Sequence, residues 1–190
     1  MGSVRLAIRA HARFADNFHM KTTHPAAVLS GFLLLCLTNP GTATGETLKV
    51  GDPFPILTQF QLDGPLPSPL KGKVVLVDFW ASWCPPCKAS FPVMADLHKR
   101  YASRGLVIIA VSVDENKSAV ERFLKKNPTP FSVVRDSTQK LAATVDAQTL
   151  PASFLLDADG RVRFLHNGFK EDTGKQYEKE IEMLLKLAPQ

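Results

Sequence analysis

Cys84 and Cys87, separated by Pro85 and Pro86, are the residues of this chain best suited to chemistry. A Cys-X-X-Cys run either supplies half of a four-ligand zinc site or cycles between dithiol and disulfide. Zinc needs a second pair of nitrogen or sulfur ligands, and the remaining cysteine, Cys36, stands alone in an apolar run. Redox exchange needs only the pair. Its attacking species is a thiolate, which a helix N-terminus favours through unpaired backbone N–H groups and a partial positive charge. That field contributes about 0.3–2 kcal/mol, up to roughly 1.5 pKa units. On this reading Cys84 is the exposed attacker, and Cys87, one turn further in, reaches back to close a Cys84–Cys87 disulfide. The two prolines preset helical φ at the first positions and stiffen the loop.

The flanking pattern supplies the elements that must hold this loop. Residues 74–80 are a β-branched and aromatic run, fit for a strand buried on both faces. Beyond Cys84, apolar residues recur at Phe91, Met94, Leu97 and Tyr101, which predicts a helix to about Ser103, kinked at Pro92. A strand over 106–113, a short helix over 118–126, a strand over 131–135 and a helix over 137–145 capped by Ser137 follow. Strands at 153–156 and 161–166 flank the turn signal Asp157-Ala158-Asp159-Gly160, and 173–187 is an amphipathic closing helix. The stretch 46–72, rich in Pro and Gly, reads as a lead-in with short strands. Parallel strand–helix units followed by an antiparallel end predict an α/β fold, a central mixed sheet flanked by helices.

The N-terminus reads as an address. Residues 26–37 are apolar, follow a basic stretch and end in Thr38-Asn39-Pro40-Gly41. A run of about 12 is the length of a signal-peptide core and short for a bilayer span. The division expected is an export signal over 1–45 and a globular domain over 46–190, with Met20 as an alternative start. A domain of about 145 residues buries roughly 68–70% of its unfolded surface, enough for one core. The chain holds 23 basic and 18 acidic residues. Arg5, Arg9, Arg13 and Lys21, against Asp16 alone, lie in the first 45, so the remainder is nearly neutral and nothing suggests nucleic-acid binding.

Residues 77–88, Val-Asp-Phe-Trp-Ala-Ser-Trp-Cys-Pro-Pro-Cys-Lys, resemble the thioredoxin active site, and Pro92 follows the second cysteine at the thioredoxin interval. Leu150-Pro151-Ala152-Ser153-Phe154-Leu155-Leu156-Asp157 resembles the cis-proline strand of that fold. A helix–strand insertion over 119–136, the opening Val50-Gly51-Asp52-Pro53 and the export signal are similar to the TlpA/ResA-like branch. The likeness covers about residues 48–187. It implies a thioredoxin-like fold with an inserted helix–strand element and thiol–disulfide oxidoreductase activity through the Cys84–Cys87 disulfide. It implies no other cofactor and no metal.

The resemblance also implies roles for neighbours. Asp78, six residues before Cys84 in an apolar run, would accept a proton from Cys87, since burial raises a carboxyl pKa. Trp83 and Trp80 would pack around the sulfurs. Lys88 either lowers the Cys84 pKa or is an exposed helical lysine, and His98 and His166 read as surface or strand residues. A cis Leu150–Pro151 bond would form a wall of the substrate groove, with Trp83, Leu150 and Pro151 meeting substrate. Ala152-Ser153 departs from the usual Thr after the proline. The cytochrome-maturation branch usually has an acidic residue there, which Ala152 is not.

The partners implied are protein disulfides and a membrane electron donor of DsbD/CcdA type. The location implied is the periplasm or another extracytoplasmic compartment, free or tethered through the N-terminus. The Pro-Pro loop removes two backbone N–H groups near Cys84, which leans the pair toward a reductant. The alternative is a non-enzymatic thioredoxin-fold adaptor, or a metal or haem chaperone in cytochrome or oxidase assembly. A metal chaperone would want a third soft ligand or His near the cysteines.

Overall fold

A computed structural model describes residues 47–188. The expected export signal over 1–45 and Cys36 lie outside the described residues. Strands β1 (Val74–Trp80), β2 (Leu106–Ser112), β3 (Ser132–Arg135), β4 (Ala152–Leu156) and β5 (Val162–Asn167) form one sheet in the order β3-β2-β1-β4-β5. β1, β2 and β3 run parallel, while β4 is antiparallel to β1 and β5 to β4. Helices α1 (Pro85–Tyr101), α2 (Lys117–Lys126), α3 (Lys140–Thr144) and α4 (Thr173–Leu187) complete the domain. This is the mixed α/β sheet expected, with α2 and β3 as the inserted pair.

All seven residues of β1 are buried, because the strand is central and covered on both faces. Its alternation divides the core. Val74, Leu76 and Trp80 face a layer shared with Phe91, Met94, Leu97 and Tyr101 of α1 and Tyr177, Ile181 and Leu184 of α4. Val75, Val77 and Phe79 face the other layer, closed by Leu141 of α3 and by Phe54 and Leu57 of the lead-in. Each such aliphatic or aromatic side chain contributes about 1.5–3 kcal/mol on full burial. α1 continues through Pro92, whose ring is exposed and whose missing N–H leaves the Lys88 carbonyl without its helical donor.

Two local expectations are corrected. Ser137 does not cap α3, which starts later, at Lys140, after Gln139 in the left-handed region at φ 54°. The buried Asp136 carboxylate accepts the Ala142 N–H at 2.9 Å instead, an ionised oxygen being the stronger acceptor. The lead-in forms no extended strand. It makes isolated bridges, Pro53 with Arg161 and Asp63 with Arg135, plus a 3-10 turn over Leu57–Gln59. Its prolines withhold the N–H groups a longer ladder requires.

Gly64 lets this lead-in close on β3. Its φ is +124°, and a Cβ there would stand 2.7 Å from the Val133 carbonyl oxygen. Gly72, at φ +80°, would meet nothing within 4 Å. Denaturant unfolding should therefore show Gly64→Ala losing about 2–3 kcal/mol and Gly72→Ala about 1, the left-handed backbone alone being worth roughly 1–2. Equal losses would mean that the close approach at Gly64 relaxes freely.

Candidate active site

Cys84 caps α1, immediately before its first helical residue. Pro85 and Pro86 hold the first two positions and have no N–H, so the first available donor is the Cys87 amide, which reaches Cys84 Sγ at 3.3 Å. The two sulfurs are joined in a disulfide with Cα atoms 5.3 Å apart. The expected exposure of Cys84 is corrected here: it is only 3% accessible, and Cys87 is 0%. The apolar layer around Trp80, Ala81 and Phe91 closes over both sulfurs, and what opening remains is at Cys84.

The loop before Cys84 is tied to the end of β2. Asp114 accepts the Ser82 N–H at 2.8 Å and the Ser82 hydroxyl at 2.9 Å, and Ser112 donates to it at 2.8 Å. The Val113 amide bonds the Trp80 carbonyl at 2.9 Å. Sequence reasoning passed over Asp114. Its place directly after the predicted strand, followed by Glu115, gave no local sign of which acid would turn inward.

Trp83 is 67% exposed and lies outside the buried layer that holds the cysteines. The preceding Ser82 is fixed by Asp114. Trp80 does join the layer holding the cysteines, with ring centroids 4.6 Å from Phe91 and 4.8 Å from Phe123. Lys88 is exposed on α1. His98 is half-buried on α1, against Phe131 at 6.4 Å between rings, and His166 lies on β5 beside Glu180 at 2.7 Å. Among the described residues, no three His, Cys, Asp or Glu side chains gather where a metal ion would be held.

Asp78 occupies the middle of β1 and is fully buried. Strand alternation places it on the face of Leu76 and Trp80, the layer that also contains Cys87. In the β1–β4 register Asp78 stands opposite Ser153, whose hydroxyl donates to Asp78 Oδ1 at 2.5 Å. Ser153 Oγ is also 2.7 Å from the Tyr177 hydroxyl of α4. Among the described residues Asp78 Oδ2 has no hydrogen-bond partner. Burial pushes the carboxyl up from 3.8 to about 7, partly opposed by the Ser153 hydrogen bond. Ser153 and Tyr177, like Asp114, are site residues whose role the sequence did not disclose.

The Leu150–Pro151 bond is cis, as is Ser68–Pro69. Pro151 is buried immediately before β4, and its carbonyl accepts the Gly168 N–H at 2.7 Å. Leu150 is half-buried and packs against both core layers, while its own N–H and C=O have no backbone partner among the described residues.

A helix-capping disulfide, a buried carboxylate on the same layer and a proline before the adjoining strand form a centre able to exchange electron pairs with other disulfides. The Redoxin family model matches residues 49–182. Thiol-disulfide oxidoreductase ResA of Bacillus thuringiensis (strain Al Hakam) is 34% identical over 161 residues, 84% of this chain and 90% of that protein. A solved structure from Chlorobium tepidum, assigned as a thiol:disulfide interchange protein DsbE, is 34% identical with a TM-score of 0.68, covering 73% of this chain and 99% of that one. StoA from Bacillus subtilis, 31% identical with a TM-score of 0.52, covers 57% of this chain and 82% of its own. The chain belongs to the Redoxin family, with a thioredoxin-like fold and the activity of a thiol–disulfide oxidoreductase.

Proposed function

We propose that this oxidoreductase works as an exported reductant of protein disulfides. The observation that carries the direction is the single donor at Cys84: with Pro85 and Pro86 lacking N–H groups, among the described residues only the Cys87 amide reaches its sulfur. Fewer donors stabilise a thiolate less. The reduced pair is then less favoured over the disulfide, which lowers the potential and makes it a stronger electron donor. Support for export comes from the apolar 26–37 run with its basic flank, and an uncleaved signal would tether the domain to a membrane. The disulfide itself is the working group, and no further cofactor enters this reading.

Cys84 thiolate attacks a substrate disulfide, forming a mixed disulfide and releasing one substrate thiolate. Asp78, ionised, takes the proton of the Cys87 thiol through Oδ2, the oxygen without a partner. Cys87 thiolate then attacks Cys84 Sγ, closing the Cys84–Cys87 bond and releasing the second substrate thiolate. Two electrons have passed to the substrate, and a membrane thiol donor of DsbD/CcdA type restores the dithiol. The unpartnered Leu150 backbone groups, beside Pro151, would pair with an extended substrate segment next to Cys84, and the exposed Trp83 would cover its far side.

In cells, Cys87→Ser should accumulate mixed disulfides with client proteins and Cys84→Ser should trap none, by non-reducing gels and mass spectrometry of the periplasmic fraction. A potential measured against glutathione should fall below that of the glutathione couple. A reversed trapping pattern sinks the assignment of attacker and resolver, and a strongly oxidising potential sinks the reductant role.

Asp78 leaves a mark on stability as well. Its folded pKa lies above the unfolded value, so the folded chain keeps a proton that the unfolded chain loses between about pH 4 and pH 7. Stability should fall across that window, by up to roughly 4 kcal/mol from this one group. Asp78→Asn should therefore unfold at higher denaturant than wild type at pH 8, with the gap shrinking toward pH 4.5. The same substitution should slow release of the second substrate thiol near neutrality and leave the first attack unchanged.

A further inference from the structure

We propose that Ser153 and Tyr177 are positioning residues for the proton transfer, holding Asp78 Oδ1 as a fixed acceptor so that Oδ2 alone exchanges the proton with Cys87. The proposal rests on Asp78 serving as the acceptor. The geometry gives the direction of each bond. Ser153 has one hydroxyl proton, and it goes to Asp78 Oδ1 at 2.5 Å. The Tyr177 hydroxyl, 2.7 Å from Ser153 Oγ, must then be the donor in that pair. The result is a two-link chain, Tyr177 to Ser153 to Asp78, built from three buried side chains on α4, β4 and β1.

Each link meets a physical need. A buried carboxylate with no donor would stay protonated well above neutrality and be useless as an acceptor. One charge-assisted hydrogen bond lowers that barrier, and a donor to the donor polarises it further. Burial and the neighbouring Asp78 charge raise the Tyr177 phenol beyond its ordinary range, so it keeps its proton throughout the cycle. The other groups facing the chain are few. From α4, Glu180 acts on Tyr177 while pairing with His166 of β5, whose ring stands edge-on to Tyr177 at 5.0 Å. β2 places Ala110 beside Asp78, which brings no charge, and α1 contributes Cys87 to the same layer. Among the described residues the Ser153 hydroxyl is bonded to Asp78 and Tyr177 and neither hydroxyl is bonded to a sulfur, so their effect is exerted through Asp78.

The test is the pH dependence of the second half-reaction, using the reduced full chain and a short peptide disulfide as probe. Release of the second thiol should rise in wild type through a step near pH 7, set by Asp78. Ser153→Ala should move that step up by about one pH unit, a tenfold loss at a fixed pH below it, with the rate at high pH unchanged. Tyr177→Phe, which keeps the ring in the core, should move it about half as far, and Ser153→Thr should bring it back toward wild type. The first attack by Cys84 should be insensitive to all three. Steps that stay in place in both Ser153→Ala and Tyr177→Phe, or that move down, overturn the proposal. If Ser153→Ala does not fold, Tyr177→Phe decides alone. A wild-type step surviving in Asp78→Asn removes Asp78 as acceptor and this proposal with it, whereas loss of the step in Asp78→Asn with no shift in the other two removes only this one.

Discussion

A carboxylate in the middle of a strand buried on both faces is the constraint around which the site is arranged. β1 is covered by α1 and α4 on one side and by α3 and the lead-in on the other, so Asp78 reaches no solvent. Moving an isolated ionised carboxylate into such surroundings costs far more than any single hydrogen bond returns. The pKa of about 7 records that desolvation dominates and the Ser153 bond only moderates it. No cation from the described residues is bonded to Asp78, and a salt bridge there would pull its pKa down, away from a thiol near 8.5. An acid intended to take a proton at neutral pH is better served by a hydroxyl than by an ammonium.

The same logic governs the cysteines. A helix N-terminus ordinarily presents several unpaired amides, but here two prolines leave one. Helix dipole and apolar surroundings act on a capping thiol in opposite directions, the dipole favouring the thiolate and burial the neutral form. The loop does not find its own position. Asp114, at the end of β2, holds Ser82 through both its amide and its hydroxyl, which sets where the chain enters the cap. The disulfide is thus placed by β1 behind it, by β2 beside it and by the fixed φ of the prolines ahead of it.

Much of this was legible in the sequence because period and composition carried it. β1 and α4 were readable to the residue from a β-branched and aromatic run broken only by Asp78 and from a 3.6-residue repeat, and α1 began where the prolines said it should. What was misread followed from competition that no local pattern reports. Ser137 is a good capping residue, yet Asp136 beside it is a stronger acceptor and won the helix. Trp83 was placed around the sulfurs by the thioredoxin resemblance, but it is exposed, next to a Ser82 held by a residue 32 positions away. Cys84 was expected exposed because it stands at the helix start with Cys87 one turn further in, and it is instead buried in the layer that holds Trp80 and Phe91. Ser153 was noticed only as a departure after Pro151. Its meaning needed the antiparallel register that sets it opposite Asp78.

That register joins two functions on one strand. Pro151 precedes β4 and Ser153 lies two residues on, so both answer to the same backbone. A segment of substrate pairing at Leu150 would bear on the stretch that carries the hydroxyl holding Asp78 Oδ1. The strand cannot slip by one residue without turning Ser153 to the opposite face and bringing Phe154 or Ala152 against the carboxylate. Phe154 is locked on that opposite face by edge contacts with Phe54 and Phe79, at 5.4 and 5.8 Å between rings. The lead-in segment, remote from the chemistry in sequence, thereby secures it in space: Phe54 fixes Phe154, Phe154 fixes the β4 register, and the register fixes the donor to Asp78.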